Sequence, residues 1–290
     1  MALLERKIDL VLSYGTGQKG DGPPTSVTLS GHRVSVVATI AGGASLGDAQ
    51  IRIQGLTLSL MNQLSTAGLL PTMFRRNSVT VYAGDDVNGM AMVFQGTIIA
   101  AWADMMAAPD VVFNITALAG TIEALLPIAP SSYPGSADAA VVLANLAGQM
   151  NVKFENHGVS VILPKSYFPG SARAQAEACV QAARIEWNGI DRGILAIWPR
   201  GGSIGGLIAV VSPETGMVGY PTYTATGIIV VTQFNPTIRF GAQVEVRSML
   251  TPANHVWIVS TLVHDIEALV PDGKWFTQMQ LGAIGQVVIA

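Results

Sequence analysis

Gly15, Gly17 and Gly20, within IDLVLSYGTGQKGDGPP at residues 8 to 24, have the G-x-G-x-x-G spacing with which a loop can cradle a pyrophosphate. That cradle requires a helix opening at the third glycine, because the free amides and the dipole of its first turn hold the phosphates. Here Gly20 runs into Asp21, Gly22, Pro23 and Pro24, and each proline fixes its own φ and pushes the residue before it toward extended geometry. The text that follows, TSVTLSGHRVSVVATIAGG, is β-branched, as a strand is. We therefore expect a loop between two strands and no bound nucleotide.

The densest polar cluster is His264, Asp265 and Glu267 in TLVHDIEALVP, where a metal or a general base would be the chemistry. Strand alternation sends His264 to the face opposite Asp265, so the spacing predicts solvated strand residues. The four histidines, at 32, 157, 255 and 264, lack the i, i+4 partner of a helical zinc site. Asp85 and Asp86 in GDDVNG are too few for a calcium loop and read as a turn. The single cysteine, Cys179, rules out an internal disulfide framework; in SARAQAEACVQAARIEW it falls at helix spacing and reads as a small core residue. No G-x-S-x-G elbow is present. Paired carboxylates for glycoside cleavage meet only in three dimensions, and nothing in the sequence argues for them. We expect no catalytic residue, no cofactor and no metal.

The elements around these residues are mostly strands. KIDLVLSYG, SVTLSGHRVSVVATI and AQIRIQG alternate, and LTLSLMNQLST then places Leu56, Leu60, Met61 and Leu64 on one stripe of a short helix that would cover a small barrel. Strands resume in SVTVYAG, MAMVFQGTIIAAWAD and DVVFNITALAG, the first two joined by a hairpin turn at Asn88-Gly89. Between about 120 and 200 the character becomes α/β. An alanine-rich helix is expected from about 137 to 150 with Ser136 as cap, and a hairpin in VKFENHGVSVILP. A second helix, from about 171 to 185, has Ser171 as cap, and WNGIDRGILAIWP returns to strand. After RGGSIGG the remainder is β again. Residues 79–101 and 244–266 each read as strand, Asn-containing turn and longer strand, and each precedes a Pro-Asp pair, an internal repeat in outline.

Half of the 290 residues are hydrophobic and 12% are charged, against about a quarter charged in an ordinary soluble domain. The longest apolar runs, such as GTIIAAWADMMAAP, are too short for a membrane span and contain Asp104. The apolar excess therefore points to a large permanent subunit interface. A net charge of −3 with no basic run argues against sequence-specific nucleic-acid binding. Glu5, Arg6, Lys7 and Asp9 stand where a secretory signal would need its apolar core, so the mature chain is expected to begin at its first residue.

PETGMVGYPTYTATGIIVVTQFNPTIRFGAQVEVRS, at 213 to 248, joins an exposed-looking VGYP turn, a β run, a strand-breaking FNP and a glycine-started strand. With NHVWIVSTLVHDIEALVPDGKWFT after it, this resembles the C-terminal part of the baseplate hub proteins of contractile-tailed bacteriophages, a tail-tube-like family. GLTLSLMNQLST at 55 to 66, followed by VTVYAG, is similar to the matching N-terminal portion. The resemblance implies a mainly β chain: a β-barrel with a short helix at 1–119, an α/β insertion at 120–202, and a second tail-tube-like barrel at 203–290. It further implies a homotrimeric ring in the virion, assembled in the host bacterial cytoplasm, that lines the DNA channel and joins the sixfold tail tube to a threefold spike. The partners implied are the tail tube protein, a spike or tip protein and peripheral baseplate proteins. The glycine loop would then become ordered on a neighbouring subunit or on the tube protein. Two other readings remain: a tail-associated cell-wall hydrolase, and a host-surface carbohydrate-binding module using exposed aromatics such as Tyr220 and Tyr223.

Overall fold

The computed structural model describes residues 5–15, 24–65, 77–106, 108–125 and 127–284. The fold is mainly β. The strands of the first part are β1 (Arg6–Gly15), β2 (Pro24–Leu29), β3 (Arg33–Ile40), β4 (Asp48–Gln54), β5 (Ser78–Asp85), β6 (Gly89–Asp104) and β7 (Val112–Leu118). Those of the last part are β13 (Ile204–Val211), β14 (Met217–Thr224), β15 (Gly227–Gln233), β16 (Ala242–Val246), β17 (Val256–Ala268) and β18 (Trp275–Ala283). All thirteen belong to one sheet, antiparallel except where β13 runs parallel to β16. Of the glycine loop, residues 16–23 lie outside the described residues.

The two β regions carry the same strand order. In the first it is β3-β4-β7-β6-β5-β1, with β2 added beyond β1; in the last it is β14-β15-β18-β17-β16-β13, so that all strands but β2 correspond one to one along the chain as well as across the sheet. The repeat legible in the sequence occupies equivalent places, the β5–β6 hairpin and the β16–β17 hairpin. The match breaks at one edge: β1 is antiparallel to β5, whereas β13 is parallel to β16.

Alternation accounts for the first core. Leu10 and Leu12 of β1, Val34 and Val36 of β3, Ile51 and Ile53 of β4, and Phe113 and Ile115 of β7 face inward at every second position. The short helix α1 (Leu58–Leu64) adds Met61 and Leu64, with the Thr57 side chain capping its N-terminus by accepting from the Leu60 amide. A second core holds Val230, Val244, Val259, Leu262, Met279 and Leu281. Burying such side chains contributes about 1.5–3 kcal/mol each.

Strand β17 belongs to both cores. Residues 256–258 pair with β16, residues 262–268 pair with β3, and β18 runs along most of its other side. Leu262 therefore sits in the second core while Ile266 and Ala268 complete the first, joined there by Trp275 of β18. In return, Ile40 at the end of β3 enters the second core.

Between the β regions lie α2 (Thr121–Leu125), β8 (Ser131–Asp138), α3 (Ala139–Gln149), β9 (Lys153–Asn156), β10 (Ile162–Phe168), α4 (Ala172–Ala183), β11 (Ile185–Trp187) and β12 (Ile194–Pro199). Helices α3 and α4 share a separate core through Val142, Leu143, Leu146, Ala176, Cys179 and Val180. Ser171 caps α4 as its sequence predicts. Two expectations fail here. Residues 131–138 are a strand paired with β10, so the cap of α3 is Asp138, which accepts from the Ala140 amide, and not Ser136. The stretch expected as one hairpin splits: β9 pairs parallel with β12, and β10 pairs with β8.

Candidate functional site

Of the polar groups that the sequence singles out, His264 alone lies at a joint where β17, β18 and the Arg192 loop meet. His264 projects from β17 into the interior and is fully buried, which corrects its reading as a solvated strand residue. Alternation placed it opposite Asp265 correctly; the side carrying His264 is the buried one because Leu262, Ile266 and Ala268 share it. Its Nδ1 lies 2.9 Å from Oγ1 of Thr277, its cross-strand partner on β18. The same hydroxyl accepts from the Asn235 amide at 3.1 Å. The ring of Phe234 stands edge-on to both His264, at 5.4 Å, and Trp275, at 5.0 Å.

Arg192, from the loop between β11 and β12, closes the joint. Its guanidinium donates to the carbonyls of Met92 on β6, at 3.3 Å, and of Pro236, at 3.2 Å, while Nε bonds Asp191 at 3.2 Å. Burial, and then the Arg192 charge, push the His264 pKa down to about 3, so the imidazole is neutral at neutral pH. Asp265 and Glu267, on the other face, are already occupied. Lys274 Nζ bonds Asp265 at 2.8 Å, and Glu267 accepts from the Lys274 amide and the Ser35 hydroxyl. Those donors hold the Glu267 carboxyl below its usual range. A neutral histidine with its acids turned away is a packing group, not half of an acid–base pair.

Two further arginine contacts fix the middle region on the β regions. Arg173 of α4 is buried and donates to the carbonyls of Gly189, Gly43 and Ala44, with the Trp187 ring 5.2 Å below its guanidinium carbon. Desolvation lowers its pKa, yet three carbonyl dipoles take the place of water around it. Arg239 Nη1 bonds Glu155 of β9 at 3.2 Å, in a group that also contains Lys153 and His157. All of these contacts join elements to one another.

The remaining candidates are structural too. Cys179 is buried between α3 and α4, and burial pushes its thiol up to about 12. Asp85 accepts from the amides of Val87 and Asn88, which makes it the turn residue of the β5–β6 hairpin. No group of three His, Cys, Asp or Glu able to hold a metal is present among the described residues. A cleft of about 430 Å³ beside the start of β1 is lined by Glu5, Arg6, Lys7, Asp9 and His32, charges of both signs that select neither anions nor cations.

The apolar excess read from the composition reaches the surface at particular places. Leu207 is 100% exposed, with Val218, Tyr220, Tyr223 and Met249 also in solvent on the last β region. Trp102, Met105 and Met106, the last 96% exposed, form another group at the end of β6.

A family model, baseplate hub gp41, matches residues 24–278. The chain belongs to the baseplate hub gp41 family. No curated protein matches the sequence of this hub. Its fold is similar to that of a tail protein from Neisseria meningitidis MC58, with a TM-score of 0.62 at 8% identity over 96% of this chain and 98% of the other. A 43 kDa tail protein of prophage MuSo2 from Shewanella oneidensis gives 0.56 at 8% identity, over 95% and 96% of the two chains. The E. coli c3393 protein, described as a type VI secretion component with structural similarity to the T4 tail proteins gp27 and gp5, gives 0.54 at 8% identity, over 87% and 73%. At such identities the likeness concerns the fold. No helix among the described residues of the hub is long and apolar enough to cross a membrane.

Proposed function

We propose that this hub is a non-enzymatic structural ring of the phage tail baseplate, a homotrimer that joins the sixfold tail tube to a threefold spike and lines the DNA channel. The observation that carries the reading is the duplicated strand order, β3-β4-β7-β6-β5-β1 and β14-β15-β18-β17-β16-β13. Two similar β units per chain give six in a trimer, so a threefold ring can present a pseudo-sixfold face to the tube. The units are taken as residues 1–119 and 203–290, with 120–202 as an insertion on the periphery, available to other baseplate proteins. The ring belongs in the virion and assembles in the host bacterial cytoplasm.

The composition supports the same reading, since an apolar chain with 12% charged residues gains from burying more surface than one copy can. Native mass spectrometry of the full chain tests it: three chains are expected, and a soluble monomer at micromolar concentration overturns it. Turnover of peptidoglycan by the purified trimer would instead support the hydrolase reading.

A further inference from the structure

The chain contains two Asn-Gly pairs, Asn88-Gly89 and Asn188-Gly189, and the fold treats them oppositely. An asparagine before glycine can lose its side-chain amide to attack by the glycine nitrogen, because a glycine brings no β-carbon to hinder the closing of a five-membered ring. In a folded protein the outcome depends on whether that nitrogen can reach Cγ.

Asn188 is shut in. It is buried, its Oδ1 accepts from the amides of Ala196 at 2.9 Å and Ile190 at 3.4 Å, and its Nδ2 donates to the Ile194 carbonyl at 2.9 Å. A Cβ on Gly189 would lie 2.5 Å from the Gly43 carbonyl oxygen, and Arg173 holds the Gly189 carbonyl. Neither residue can turn unless the joint opens.

Asn88 is open. It and Gly89 are exposed at the β5–β6 turn, and a Cβ on Gly89 would meet nothing within 4 Å. Asp85 and Gly89 form the last pair of that ladder, so only the tip has to fray for the Gly89 nitrogen to swing toward Cγ. The carboxamide is held from one side: Nδ2 bonds the Asp85 carboxylate at 2.8 and 3.1 Å, while Oδ1 takes no hydrogen bond among the described residues.

We propose that Asn88 is a site of spontaneous deamidation in the folded protein and that Asn188 is not. The Gly89 amide, its proton given up to hydroxide, bonds to Cγ; the Cγ–Nδ2 bond breaks, and Nδ2 takes a proton from water and leaves as ammonia. Water then opens the succinimide at either carbonyl, leaving aspartate or isoaspartate at position 88, and nothing is oxidised. The product cannot rebuild the turn. Where Nδ2 donated to Asp85, a new carboxylate faces the old one, with Asp86 beside them already paired to Lys7 at 2.6 Å. Asp85, whose carboxyl the Asn88 donors hold below its usual range, loses the first of them. The inference does not depend on the ring reading, since it concerns one hairpin of a single copy.

The test is peptide mapping by mass spectrometry of the folded full chain kept at mildly alkaline pH, beside a sample kept in denaturant. In the folded sample Asn88 should convert more than about tenfold faster than Asn188, the difference between a fraying tip and a buried joint, and in denaturant the two rates should converge. Asp85→Ala, which lets go of the carboxamide, should speed conversion at Asn88. Asn88→Gln, whose ring would be six-membered, should nearly abolish it at that position. Asn88 remaining intact in the folded sample while the denatured sample converts overturns the proposal, and so does Asn188 keeping pace with Asn88 in the folded chain.

Discussion

His264 Nδ1 and Thr277 Oγ1 stand 2.9 Å apart at paired positions of β17 and β18, a hydrogen bond enclosed by Phe234 and placed beside the charge of Arg192. The folded protein holds this imidazole neutral with a pKa near 3, whereas the unfolded chain protonates it near 6.5. Between those values the unfolded state binds the extra proton, so this contribution to stability is complete above about pH 6.5 and lost as pH falls toward 3. Urea unfolding at pH 7, 6 and 5 should show a loss approaching about 1.4 kcal/mol per pH unit at the lower end. The slope should flatten in His264→Gln; an unchanged slope would place the titration elsewhere.

Arg173 should be the principal fastener of the middle region. Arg173→Ala leaves the carbonyls of Gly189, Gly43 and Ala44 without their donor, at about 1–3 kcal/mol for each that stays buried. Arg173→Lys should recover part of this, because an ammonium cannot span the same acceptors in one plane. Protease cleavage in the 188–193 loop, faster in Ala than in Lys and slowest in the native chain, is the expected ranking.

The Cys179 thiol, raised to about 12 and out of solvent, should not react with a thiol reagent at pH 8 in the folded protein. One equivalent should react in denaturant. Rapid labelling under native conditions would mean that the α3–α4 pair opens.

Gly241 adopts φ +78°, and a Cβ there would lie 2.7 Å from the Trp198 ring. Gly241→Ala should therefore cost about 1–3 kcal/mol through crowding, with added backbone strain. A thermal melt is sufficient, and an unchanged midpoint would show that Trp198 gives way.

The legible part of this hub was the local part. Alternation marked the strands, Asn88-Gly89 marked a hairpin, and Ser171 marked a helix start, because each signal acts within a few residues. His264 was misjudged because alternation fixes which residues share a face but not which face is covered; that depends on Phe234, just past β15, and on Thr277 of β18. The 153–168 stretch was misjudged because its strands choose partners far along the chain, β12 and β8, over each other. The roles of Arg173 and Arg192 had no signal in the sequence, since nothing in a sequence shows that several carbonyls will converge on a guanidinium.

The sharing of β17 has a consequence for how the chain is made. Ser35 on β3 bonds Glu267 on β17 across 232 positions of sequence, so the first β unit lacks a stave until the chain is nearly synthesised. At 5–20 residues per second, that is roughly 10–50 s during which β3 waits on the ribosome with an open side. Long-range closure of this kind is slow to nucleate and exposed to wrong partners. A nascent chain stalled before residue 256 should therefore hold its N-terminal strands in a protease-sensitive, chaperone-bound state, and release of the last strands should fold both units in a single step.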